Sequence, residues 1–253
     1  MSVAAAVKLE NNNQNQRRLM VEEDSRQQIS FTAPFTKDYS RPVLVVSKQR
    51  LRENARRFMA AMPRVRPHYA VKANPDMDIL RTFKEEGTCF EVASIAEVDA
   101  MLKLGADMQT VFYSNPIKSP AAVAHAAKNG ILWYSVDTPE EVAKISAIKP
   151  DAKLYIRIEV SNEGSSWPLA GKFGASPSGV DAVIETAKNL GMRICGVTFH
   201  VGSQCVNTNN WVEGIRAAKA LFTKLSSHGF EPELLNMGGG YPLQFTGAEP
   251  AIE

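Results

Sequence analysis

Cysteine is scarce in this 253-residue chain. Cys89, Cys195 and Cys205 are odd in number, and no two stand in C-x-x-C spacing. That excludes a disulfide-stapled scaffold and argues against a zinc site, and it suits a reducing compartment, so a cytoplasmic location is expected. An excess of one charge is also lacking: 29 Lys and Arg stand against 27 Asp and Glu, a net charge of +2. Such a balance gives no basis for nucleic-acid binding. No apolar run approaches the roughly 18–20 residues that cross a bilayer, so no membrane partner is expected. Met1–Val7 has neither a basic n-region nor a long apolar h-region, which argues against a secretory leader. What remains, with 44% hydrophobic and 22% charged residues, is the composition of a globular protein with one large core, or of one domain plus a partial second.

Residues 1–40 read as a flexible N-terminal arm, with a polar low-complexity stretch at Asn11–Gln16 and a short helix expected near Arg17–Glu23. A single ordered domain is expected over 41–253, opening at Pro42 before Val43-Leu44-Val45-Val46. From there the chain alternates between two textures. Strand-like runs fall at 42–47, 68–73, 89–93, 111–114, 132–136, 153–160, 194–200 and 233–238. Helical patterns fall at 48–61, 76–86, 94–104, 119–129, 138–147, 178–190 and 209–228. Thr138-Pro139 and Ser119-Pro120 place a cap residue before a first-turn proline. Strict β-α alternation predicts a parallel sheet with crossover helices. Eight strands in about 200 residues favour a (β/α)8 TIM-type barrel, with a doubly wound sheet as the alternative. No helical pattern follows the run near Leu234–Met237, so the domain is expected to be incomplete at its C-terminal end.

In a parallel barrel, chemistry gathers where strands end. Lys72 closes His68-Tyr69-Ala70-Val71 and precedes Ala73-Asn74-Pro75. A lysine there is costly unless paired, neutralised or used covalently, though a solvated loop lysine reads the same way. Glu91 and Arg157 each interrupt an apolar strand, either facing a helix or joining a core ion pair. His200 closes Val197-Thr198-Phe199, whereas His68, His125 and His228 read as structural. Gly238-Gly239-Gly240 follows a strand, and three glycines free several backbone N–H groups to turn toward one anion. Neither G-x-G-x-x-G nor a Walker lysine accompanies them. A lysine able to form an imine, a histidine and a phosphate cradle together meet the needs of pyridoxal 5′-phosphate.

Six motifs then fall in an order that resembles a known family. They are Tyr69-Ala70-Val71-Lys72-Ala73-Asn74, Phe90-Glu91-Val92-Ala93-Ser94, Ser114-Asn115-Pro116-Ile117-Lys118, Lys172-Phe173-Gly174, Phe199-His200-Val201-Gly202-Ser203-Gln204 and Gly238-Gly239-Gly240-Tyr241-Pro242. From about Pro42 to Pro242 the chain resembles the fold-type III pyridoxal-phosphate-dependent decarboxylases of the ornithine, diaminopimelate and arginine group, nearest the ornithine branch. The resemblance implies an alanine-racemase-like barrel with seven strands here, the run at 43–46 belonging to a second β domain. Lys72 would bond the cofactor covalently and His200 would stack on its ring. Ser203 and Gly238–Gly240 would hold the phosphate, and Arg157 would lie beside the phenolic oxygen. Glu91 stands where many members have aspartate. Lys72 and His200 are thus the catalytic candidates, and no metal is implied. The family also carries a last barrel strand and a C-terminal β domain that this chain lacks, so the chain alone would turn over poorly. The implied activity is decarboxylation of a basic amino acid, ornithine to putrescine, by a homodimer. A catalytically inactive or regulatory relative is the alternative, as is lysine, arginine or diaminopimelate as substrate.

Overall fold

The structure, a computed structural model, describes residues 45–244, 247 and 249–252, with the backbone of three short segments nearer the N-terminus. Those segments, Lys8–Leu9, Leu19–Val21 and Ile29–Phe31, form a small antiparallel sheet. The helix expected near Arg17–Glu23 is therefore corrected at Leu19–Val21, where three consecutive apolar residues suit a strand better than an amphipathic turn. The remainder of residues 1–44 lies outside the described residues. Of the run expected as a strand over 42–47, Val45 to Ser47 form none. Ser47 instead caps the first helix, its hydroxyl accepting from the Arg50 N–H at 3.3 Å.

Among the described residues seven helices then alternate with the seven strands of the main sheet. In order they are α1 (Lys48–Ala61), β1 (His68–Ala70), α2 (Met77–Glu85), β2 (Cys89–Val92), α3 (Ile95–Leu104), β3 (Phe112–Tyr113) and α4 (Pro120–Lys128). There follow β4 (Trp133–Val136), α5 (Pro139–Ile148), β5 (Lys153–Arg157), α6 (Pro177–Asn189), β6 (Arg193–Thr198), α7 (Asn209–Ser227) and β7 (Leu234–Asn236). The helix starts are written in the sequence: Asp76, Ser94, Ser119, Thr138 and Ser176 each accept a first-turn N–H. Pro120, Pro139 and Pro177 occupy first-turn positions, where the missing N–H costs nothing.

All seven strands are parallel, and their order in the sheet is their order in the chain. A doubly wound sheet reverses direction at a switch point; this one never does. The result is seven strands of a TIM-type barrel. Between sheet and helices lies an apolar layer that includes Leu80, Val98, Met101, Val123, Val142, Ile145, Leu154, Ile156, Val183, Val197 and Leu225. The opposite face of the sheet is aromatic and polar. His68 stacks on Phe112 at 4.2 Å, and Phe112 and Trp133 both approach the Tyr155 ring. A two-stranded antiparallel ribbon, Ser165–Trp167 against Ser203–Cys205, lies beyond the ends of β5 and β6. No helix among the described residues is long and apolar enough to cross a membrane.

Candidate functional site

Because the strands are parallel, their C-terminal ends share one end of the sheet. Lys72 comes two residues after β1, Ser114 follows β3, Asp137 follows β4, Arg157 ends β5, His200 comes two residues after β6 and Gly238 two after β7. Glu91 lies inside β2. Its strand neighbours Phe90 and Val92 enter the apolar layer, as Leu154 and Ile156 do beside Arg157. Strand alternation then turns Glu91 and Arg157 to the other face, away from the helices. The question left open by the sequence is settled: neither faces a helix.

Lys72 sits on the 3-10 turn Val71–Ala73, and its side chain is exposed. Its amine makes no hydrogen bond among the described residues, so it is open to a reagent. Burial pushes the Glu91 carboxyl up, and Ser114, Lys72, Arg157 and Asn236 oppose that shift. The Ser114 hydroxyl donates to Glu91 Oε2 at 2.8 Å. Burial likewise pushes the Arg157 guanidinium down, against the attraction of Asp137, Glu91 and Tyr155. The guanidinium lies 5.0 Å from the centre of the Phe173 ring, which places the Lys172-Phe173-Gly174 turn beside β5. Asp137 holds that turn from the other side, its Oδ2 accepting the Gly174 N–H at 3.0 Å.

Burial, reinforced by Arg157 and Lys72, lowers His200 to about 4, so the imidazole is neutral at pH 7. Its Nδ1 accepts the Gly202 N–H at 3.0 Å, which leaves the ring proton on Nε2. That nitrogen faces Gly239: a methyl group added there would come within 3.3 Å of it.

The three glycines are not equivalent. Gly238 and Gly240 have φ of +66° and +94°, and a Cβ on them would lie 2.1 Å from the Phe199 carbonyl oxygen and 2.0 Å from that of Gly202. Gly239 has neither constraint. The Gly238 N–H is spent on Asn236 Oδ1 at 2.8 Å, whereas those of Gly239 and Gly240 make no hydrogen bond among the described residues. The anion cradle read from the sequence thus has two N–H groups to offer, not three. Cys205 N–H to the Gly240 carbonyl, at 2.9 Å, staples the loop to the ribbon. Gln204 adds two bonds, accepting from Leu243 N–H at 2.8 Å and donating to its carbonyl at 3.1 Å. Ser203 is exposed on the same ribbon.

An accessible amine, a neutral ring, two N–H groups without partners among the described residues and a half-buried acid and guanidinium fit pyridoxal phosphate, an aromatic aldehyde with an anionic tail. Comparison with known proteins agrees. Residues 48–253 match the family model described as pyridoxal-dependent decarboxylase, pyridoxal binding domain. The chain belongs to this family. Pyridoxal phosphate is the family's cofactor. Ornithine decarboxylase of Mus musculus is 36% identical over 186 residues, covering 74% of this chain and 40% of its own. Antizyme inhibitor 2 of Xenopus laevis is also 36% identical over 186 residues, 74% and 41% of the two chains. Among solved structures, the lysine/ornithine decarboxylase of Vibrio vulnificus complexed with putrescine superposes with a TM-score of 0.77 at 31% identity, over 85% of this chain and 57% of that one. The arginine decarboxylase of Paramecium bursaria Chlorella virus bound to agmatine gives 0.77 at 28%, over 80% and 55%. The chain spans about two-fifths of the length of the curated relatives it matches.

The fold brings to this end of the sheet several residues that carry no site signal in the sequence: Tyr155 and Asn236, Asp137, which reads there only as part of a helix start, and Ser114 and Lys118, which read only as parts of a motif. The sequence does put Tyr155 on one strand face with Arg157: Lys153, Tyr155 and Arg157 alternate with Leu154 and Ile156, the period-2 pattern of a strand with one polar face.

Proposed function

We propose that this chain is the cofactor-binding portion of a pyridoxal-phosphate-dependent decarboxylase of a basic amino acid. Ornithine is the substrate and putrescine the product, in polyamine biosynthesis, in a cytoplasmic homodimer. The observation that carries the reading is the exposed Lys72 amine close to the half-buried Glu91, Arg157 and His200 at the C-terminal ends of parallel strands.

Lys72 would supply the amine for covalent attachment of pyridoxal phosphate. His200, neutral, would hold the cofactor ring. Gly239 and Gly240, through their backbone N–H groups, and Ser203, through its hydroxyl, would hold the phosphate. Arg157 and Glu91 would hold the polar edge of the ring. When bound, pyridoxal phosphate supplies the electron sink that makes loss of the substrate carboxylate possible. A catalytically inactive, regulatory relative is the second reading, favoured by the equal similarity to antizyme inhibitor 2.

The test is release of carbon dioxide by the whole protein that contains this portion, loaded with pyridoxal phosphate and offered ornithine, lysine, arginine or diaminopimelate in turn. Release from ornithine should be at least about tenfold faster than from the others, a difference of roughly 1.4 kcal/mol in the barrier. Faster release from another substrate would reassign the specificity, and none from any would favour the regulatory reading.

A further inference from the structure

Glu91 does not stand alone: it is one end of a chain of hydrogen bonds that no part of the proposed function requires. Ser114 Oγ lies 2.8 Å from Glu91 Oε2 and 3.0 Å from the Tyr155 hydroxyl. A serine hydroxyl has a single proton. When it is given to the carboxylate, the second contact exists only if Tyr155 donates to Ser114. Tyr155 is suited to that duty. It is fully buried, its ring is packed by Phe112 at 5.8 Å and Trp133 at 6.5 Å, and burial with the neighbouring Glu91 pushes its phenol far up, so it keeps its proton. The chain therefore runs one way, from Tyr155 through Ser114 to Glu91, and its polarity favours the ionised carboxylate. The two donors come from the end of β3, beside β2, and from β5, two strands further along the same side of the sheet, at the level where Lys72, Arg157, His200 and Asn236 also face the carboxylate or its cationic neighbours.

We propose that Ser114 and Tyr155 are positioning residues for the cofactor site, holding Glu91 ionised and aimed at Lys72 and Arg157. The proposal rests on the cofactor reading above for its consequence, but the hydrogen-bond chain can be measured independently of it. If these hydroxyls served only to satisfy one another in the core, their loss would cost stability and leave the titration of Glu91 where it is.

The experiment is a pH titration of the Glu91 carboxyl band by infrared spectroscopy, isolated as the difference from Glu91→Gln, with and without pyridoxal phosphate. Ser114→Ala should raise the midpoint by about one pH unit, the scale of one charge-assisted hydrogen bond. Tyr155→Phe, which keeps the ring and its packing, should raise it by a smaller amount, and Ser114→Thr, which keeps the hydroxyl, should leave it unchanged. In the loaded protein the visible absorbance of the cofactor should show a shifted pH midpoint in Ser114→Ala and not in Ser114→Thr. Covalent labelling of Lys72, scored separately, bears on the cofactor reading alone. Wild-type midpoints in both Ser114→Ala and Tyr155→Phe would overturn the proposal, even if both variants melt at a lower temperature.

Discussion

Replacing Lys118 with methionine is expected to destabilise the fold by about 3–5 kcal/mol, the usual cost of breaking a buried ion pair from one side. The Lys118 ammonium is enclosed. Nζ donates to the carbonyls of Asn115, Pro116 and Ser135 at 2.8, 3.0 and 2.6 Å and lies 3.2 Å from Glu141 Oε2. Burial pushes it down to about 8, with Glu141 opposing, so it is still charged at pH 7. Glu141 is only 3% exposed; it also pairs with Lys144 and accepts the Lys118 backbone N–H at 3.1 Å. Methionine fills the space but takes one donor from each of three carbonyls and leaves a buried carboxylate with half its compensation. Two of those carbonyls, of Asn115 and Pro116, belong to the loop that begins at Ser114, and the third, of Ser135, lies in β4 two residues before Asp137, so the damage should reach the site, with weaker cofactor retention. Changing Lys118 to Met and Glu141 to Leu together removes both charges and should recover a large part of the loss. Urea unfolding of the single and double variants measures this. A single variant within about 1 kcal/mol of wild type would mean that the enclosure contributes little.

The second large effect concerns the glycine loop, where neighbouring positions should behave differently. Gly240→Ala puts a methyl group 2.0 Å from the Gly202 carbonyl oxygen at a φ of +94°. Backbone must move, and a cost of at least about 2 kcal/mol is expected from strain and collision together. The staple from the Gly240 carbonyl to Cys205 moves with it, so cofactor binding should fail along with stability. Gly239→Ala meets only His200 Nε2, at 3.3 Å. It should fold nearly as well as wild type and still hold pyridoxal phosphate at least about tenfold more weakly, or roughly 1.4 kcal/mol, because the added carbon occupies the ground in front of the His200 ring. Melting temperature and cofactor titration, run side by side, separate the two cases. Equal loss of cofactor and of stability in both variants would mean that the loop is an ordinary turn.

These contrasts also show which parts of the protein its sequence announces. The helices were legible because their ends are marked by residues whose only business is local: Ser119 before Pro120, Thr138 before Pro139. Strand identity was legible wherever an apolar run stopped at a charge or a glycine, and Lys72, His200 and Gly238–Gly240 stand at such stops. Glu91 and Arg157 were visible as charges in apolar strands, but a strand does not declare which face its polar residues take until the sheet is built. The run at 42–47 has strand composition, yet Val45–Ser47, its described part, forms no strand, and Leu19–Val21 forms a strand where a helix is expected. Tyr155, Ser114 and the enclosure around Lys118 were the least legible. Each depends on atoms from strands or loops 17–41 residues apart meeting within hydrogen-bond distance, and no periodicity reports that.

Attachment of pyridoxal phosphate to Lys72 can be read by incubating the folded protein with the cofactor, reducing with borohydride, digesting, and locating the phosphopyridoxyl group by peptide mass mapping. One stoichiometric label is expected on Lys72, lost in Lys72→Arg. A label on another lysine with none on Lys72, or no label on a protein shown to be folded, would contradict it.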